Sequence, residues 1–152
     1  MAVHTYVPEF PPSVAGGSIP IDDGIEAFLA DFYRISDTPD AHELYAAQFA
    51  TGATLVMGSR RGVGREEILA IRKGMWAAVA SRLHTPMRVY PFESRDGVEE
   101  LMLFGSVKYV MKDGRGTEVE WAARANIVKE DGKWKMGFYQ VYLDSVAMQS
   151  AK

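Results

Sequence analysis

The chain contains no cysteine. Disulfides, zinc-thiolate sites and a cysteine nucleophile are therefore excluded. The absence also suits a reducing compartment, so a cytoplasmic location is expected. Histidine is scarce: His4, His42 and His84 are too dispersed for metal-ligand spacing, and no metal is expected. Nor is there a basic excess, because 17 Lys and Arg stand against 20 Asp and Glu, a net charge of -3. Binding to nucleic acid phosphates needs the opposite balance. The one basic cluster, Arg60, Arg61 and Arg65, runs at once into Glu66 and Glu67 and reads as a solvated loop and helix start. No apolar run approaches the roughly 20 residues of a membrane span, and the N-terminus lacks the two regions of a secretory signal. Neither a nucleic acid nor a membrane is expected as a partner. Gly62-Val63-Gly64 precedes a helix but completes no phosphate-binding fingerprint.

What remains is a chain of 152 residues, 47% hydrophobic, which fits one domain with a substantial core. Prolines at 8, 11 and 12 and glycines at 16 and 17 mark residues 1–21 as an extended arm. The domain proper is expected over 22–147, with a tail at 148–152. Asp23 and Glu26 stand at capping-box spacing, and Ile25, Phe28, Leu29, Phe32 and Tyr33 follow as a helical stripe. Thr38-Pro39 predicts a second helix through about Phe49. A strand is expected over 54–58 and a third helix over about 66–81, with Ile68, Leu69, Ile71, Met75, Trp76 and Val79 on one face. Four strands then follow. The first, over 83–93, carries Pro86 and Pro91 and so belongs at an edge or at bulges. Strands over 100–112 and 117–129 join around Asp113-Gly114, and Asp131-Gly132 turns into the last strand. Helices segregated to one side of an antiparallel or mixed sheet make the fold class α+β.

These strands are long, aromatic and apolar on more than one face, which implies a curved sheet around a hollow suited to a small molecule. Alternation places Ala122, Arg124 and Asn126 on one face of their strand, opposite Trp121, Ala123, Ala125 and Ile127. Arg124 and Asn126 are candidates to stabilise a carbonyl or enolate oxygen; an exposed face or a dimer interface accounts for them equally. On the last strand, Trp134, Met136, Phe138, Gln140 and Tyr142 alternate with Gly137, Tyr139, Val141 and Leu143. A sheet with two apolar faces must cover both, one with helices and the other with a second subunit, so a homodimer is expected. Tyr33, Met57, Trp76, Phe104, Tyr109, Phe138 and Tyr142 are candidate pocket-lining residues.

The order of elements resembles the SnoaL-like branch of the nuclear transport factor two-like superfamily, together with GREEI at 64–68, RLH at 82–84 and DGKWKM at 131–136. Scytalone dehydratase and limonene epoxide hydrolase are distant relatives in that superfamily. The resemblance covers about residues 22–145 and implies a cone-shaped α+β barrel, with three helices packed on one side of the sheet. It also implies a cofactor-free protein. In the dehydratase pattern, a histidine on the strand after the third helix acts as acid/base, and His84 matches it. Asp37 falls where that pattern has an aspartate that orients the histidine, which would hold the ring's tautomer and favour its charged form. A helix-capping or core role is the plain alternative for His84, and a loop cap for Asp37. The chain departs from the pattern twice. No second histidine lies on the strand over 100–112, and Ser36 replaces the tyrosine before the aspartate. Arg88 and Arg124 have no second inward carboxylate with which to build the epoxide hydrolase relay. The function that follows is isomerisation, cyclisation or dehydration by proton transfer, on an apolar cyclic metabolite of polyketide or terpenoid type. The alternative is a non-catalytic binding or dimerisation module.

Overall fold

The computed structural model describes residues 22–149 and residue 152. The expected arm over 1–21 and His4 lie outside the described residues. The elements run α1 (Asp23–Ser36), α2 (His42–Ala47), β1 (Phe49–Met57), β2 (Arg60–Val63) and α3 (Arg65–Met75). They continue as β3 (Val79–Arg95), β4 (Val98–Met111), β5 (Gly116–Glu130), β6 (Lys133–Leu143) and α4 (Ser145–Gln149). One six-stranded sheet has the order β2-β1-β6-β5-β4-β3. Only β1 and β6 run parallel; the other neighbours are antiparallel. The α+β class with a curved mixed sheet is thus observed, and the sheet stays open, with β2 and β3 at its edges.

The expected stripe on α1 is buried, and Phe32 packs against Tyr33, Tyr45, Phe49 and Tyr139 with centroid separations of 5.0–6.0 Å. The helix cap is Asp22, whose side chain accepts from the Gly24 amide at 2.8 Å, one residue before the expected Asp23. α2 starts at His42 because Thr38–Asp40 form a turn first. α3 stops at Met75, well short of 81. There Trp76 closes the helix, the Val79 amide turns back to the Trp76 carbonyl, and β-branched Val79 opens β3. The buried side of α3 holds an arginine, Arg72, which an apolar stripe does not predict. β2, a four-residue edge strand of polar composition, has no hydrophobic alternation to announce it.

The sheet curves through bulges. β3 shifts register against β4 between Pro86 and Arg88 and again between Pro91 and Glu93, so both prolines sit at bulges on an edge strand. Opposite the first bulge, a Cβ on Gly105 would lie 2.3 Å from the Thr85 carbonyl oxygen and 2.6 Å from the Pro86 Cα. Both are backbone atoms and cannot swing away. Gly105→Ala is expected to destabilise the protein by about 2 kcal/mol or more, read as a lower urea midpoint. On β6, Asn126 pairs with Phe138 but Ile127 pairs with Met136, which leaves Gly137 as the extra residue. The bulge changes the face of everything before it. Met136 is therefore buried alongside Tyr139 and Val141, not outward with Phe138 as strict alternation requires.

Candidate active site

Between the helices and the inner face of the sheet lies a cavity of about 430 Å³, lined from all six strands and all four helices. Its polar wall is built where α1 ends. Asp37 caps that helix, its amide bonded to the Tyr33 carbonyl at 3.0 Å. Its carboxylate grips His84 twice, accepting from the backbone amide on Oδ2 at 2.9 Å and meeting Nδ1 on Oδ1 at 2.5 Å. A carboxylate only accepts, so Nδ1 is the ring nitrogen that carries the hydrogen toward it. The two side chains are 9% and 13% exposed, which keeps the pair largely out of water. Tyr33 and Trp121 flank the imidazole, with centroids at 5.4 and 5.6 Å.

Two buried arginines hold this corner. A helix C-terminus leaves carbonyls without amide partners, and Arg72 Nη1 donates to Ser36 O at 2.6 Å while Nη2 donates to Thr38 O at 2.6 Å. Its guanidinium lies over the rings of Tyr45 and Trp76. Burial, then the neighbouring Arg82, push its pKa down to about 10, so it remains charged at neutral pH. Arg72 Nε also donates to His42 Nδ1 at 3.3 Å. The His42 pKa is lowered by burial and by Arg72, consistent with a neutral, accepting imidazole. Arg82 reaches the same loop from β3, with Nε and Nη2 on Ser36 O at 3.0 and 2.7 Å and Nη2 on Ser36 Oγ at 2.8 Å. Ser36 thus serves as the anchor of an arginine.

Tyrosines supply much of the remaining polarity. Tyr33 and Tyr139 share a buried hydroxyl contact of 2.9 Å. Burial pushes the Tyr45 pKa up to about 12 and raises those of Tyr139 and Tyr109 as well. These phenols stay protonated at neutral pH and can donate to a ligand oxygen. Each of the three binds its proton more tightly folded than unfolded, so its stabilising contribution is complete below pH 10 and lost as pH rises beyond it. Arg72 opposes this trend alone against three. The phenolate absorbance of these three buried tyrosines and the circular dichroism are expected to change together above pH 10, in one cooperative step, and not as ionisation within the folded state.

The sequence-derived candidates fall in three places. His84 and Asp37 come together, and His84, Met57 and Tyr109 line the cavity. Tyr33 stands behind the imidazole, and Trp76 lies beneath the two guanidiniums and lines a second, more open hollow of about 370 Å³. Arg124, Asn126, Phe104, Phe138 and Tyr142 do not line the cavity. On β5 the inward positions are Trp121, Ala123, Ala125 and Ile127, which puts Arg124 and Asn126 on the outer face. There Arg124 Nε lies 3.4 Å from Glu100 Oε1, and its guanidinium sits over the Phe138 ring. Sequence reasoning passed over Arg82, Ser36, Tyr45 and Tyr139. Arg82 had a readable signal, since it lies two residues before His84 on one strand and therefore on the same face.

No family model matches the chain, and no curated protein matches it in sequence. Solved structures do. A protein from Novosphingobium aromaticivorans DSM 12444 named after scytalone dehydratase has a TM-score of 0.71 at 16% identity, over 79% of this chain and 81% of that one. A hexachlorocyclohexane dehydrochlorinase, LinA type 2, has a TM-score of 0.69 at 12% identity, over 79% and 82%. A Catenulispora acidiphila protein in complex with S-DNPA has a TM-score of 0.69 at 19% identity, over 82% and 94%. The chain has the nuclear transport factor two-like fold. Its resemblance to the SnoaL-like branch is borne out at the level of fold, and the neighbours include small-molecule enzymes by name and one with a bound ligand. Among the described residues, no helix is long and apolar enough to cross a membrane.

Proposed function

We propose that the protein is a cofactor-independent enzyme that isomerises, cyclises or eliminates across an apolar cyclic metabolite of polyketide or terpenoid type. His84 is the acid/base and Asp37 orients it. The supporting observation is the two-point grip of Asp37 on His84 at the wall of a mostly apolar cavity. Asp37 fixes Nδ1, so Nε2 is the nitrogen that exchanges a proton with the ligand. Cavity walls such as Val107, Trp121 and Val141 exclude water and receive a ring system. Native mass spectrometry of freshly purified protein tests this reading. A retained cyclic compound, turned over by the wild type and not by His84→Ala, supports it. Unchanged turnover by that variant removes the assignment.

Self-association through the outer sheet face belongs to the same proposal. Tyr90, Met102 and Tyr142 are exposed there, and Arg124 Nε and Asn126 Oδ1 are buried without a hydrogen-bond partner among the described residues. A second copy would cover the apolar rings and offer partners to both atoms. Sedimentation equilibrium is expected to return twice the 16.9 kDa chain mass. A monomer at micromolar concentration would count against this.

A further inference from the structure

We infer that the second hollow is a separate binding site for a small organic phosphate, a phosphate monoester carried on a compact apolar body. The hollow lies where the start of α2, the end of α3 and the start of β3 meet, and its volume of about 370 Å³ suits a ligand of that size. None of its lining residues also lines the main cavity. Ala77, Val79 and Ala80 give it an apolar side, and the remaining groups are mostly donors that lack acceptors. Lys73 and Lys112 are exposed, and among the described residues neither ammonium has an ion pair or a hydrogen bond. His42 Nδ1 accepts from Arg72 Nε, which leaves Nε2 as the nitrogen that carries the hydrogen. Trp76 is only 5% exposed, and its Nε1 is buried without a hydrogen-bond partner among the described residues. Buried N–H groups are paired as a rule, so this indole calls for an acceptor that the described chain does not supply.

The charge balance favours a dianion. The buried guanidiniums of Arg72 and Arg82 lie 5.1 and 4.8 Å from the Trp76 ring centroid. With Lys73 and Lys112 they bring four cations to the hollow and the wall behind it, against the two carboxylates of Asp37 and Asp40. A phosphate monoester dianion balances that excess of two, whereas a monocarboxylate removes half of it. The two arginines are out of water and are screened less by salt than surface charges are, so their attraction reaches the hollow. Lysine binds phosphate as a point charge and needs no preset fork. The two exposed ammoniums can therefore close on the phosphoryl oxygens while the alanines and Val79 receive the organic group. The bond from Arg72 to His42 also connects the hollow to the turn that carries Asp37, because Arg72 holds the carbonyls of Ser36 and Thr38.

The test is a titration of the full chain with phenyl phosphate at neutral pH, with phenol as the uncharged comparison, followed through the indole ¹H–¹⁵N signals. Trp76 lines the hollow and Trp121 lines the main cavity, so the two signals report the two places separately. Phenyl phosphate is expected to move the Trp76 signal saturably and to leave that of Trp121 in place, and phenol at the same concentration to leave Trp76 unmoved. Lys73→Ala/Lys112→Ala is expected to weaken binding about tenfold or more, the scale of losing charge-assisted contacts. Both lysines are exposed, so this variant keeps its core. Lys73→Arg/Lys112→Arg is expected to retain binding. A Trp76 signal that does not respond in the wild type would overturn the inference, as would undiminished affinity in the double alanine variant. Movement of Trp121 alone would place the phosphate in the main cavity and reject the hollow, while leaving the acid/base reading of His84 standing.

Discussion

His84→Ala is expected to lower kcat/KM on the retained substrate by about 10²–10⁴-fold, the usual contribution of a positioned general acid/base. Thermal stability should change far less, because the ring faces the cavity and its loss removes little core packing. Asp37→Asn is expected to approach the same loss by a different route. An amide in place of Oδ1 would turn an N–H toward Nδ1, favour the opposite tautomer and leave Nε2 protonated in the resting state. The loss should fall on kcat more than on KM, since neither change enlarges or reshapes the apolar walls.

Arg72→Met is expected to cost about 3 kcal/mol, the scale of losing two charge-assisted hydrogen bonds at a buried site. In a chain of this size that corresponds to a melting temperature lower by roughly 6–12 °C. Methionine fills part of the volume between Tyr45 and Trp76 but donates nothing to Ser36 O and Thr38 O. Those carbonyls bracket Asp37, so the variant is expected to lose turnover even where it remains folded. Arg72→Lys should recover only part of the stability, because an ammonium cannot reproduce the planar fork that spans the turn. Differential scanning calorimetry with parallel turnover measurements separates the two effects. Full turnover in a destabilised but folded Arg72→Met would show that the arginine supports the fold and not the position of Asp37.

Much of the frame was legible because its signals are local. The stripe from Ile25 to Tyr33 falls on α1, and the turns at Asp113-Gly114 and Asp131-Gly132 join long strands. At the second turn both residues have positive φ, 51° and 74°, which an Asp-Gly pair tolerates. Pro86 and Pro91 marked the bulges of an edge strand. What escaped depends on contacts distant in sequence. The bulge at Gly137 brings Met136 onto the face of Tyr139 and Val141, and alternation alone does not say that this face, with Tyr139 meeting Tyr33, and not that of Phe138 and Tyr142, is the inner one. The burial of Arg72 is intelligible only once α3 packs against the end of α1, because nothing within α3 shows where the waiting carbonyls lie. Arg124 and Asn126 were attractive as a polar pair among small residues, but polarity on an alternating strand does not say which face the helices cover. The pairing of Asp37 with His84 came through family resemblance, since the two stand 47 residues apart.

The most direct test of the central claim is the tautomeric state of His84, read from imidazole ¹⁵N signals correlated to the ring protons. The account predicts a ring with hydrogen held on Nδ1, an exchange-protected Nδ1–H shifted far downfield by Asp37, and loss of that signal in Asp37→Asn. A ring protonated on Nε2 alone, or averaging between tautomers as in free histidine, would contradict it.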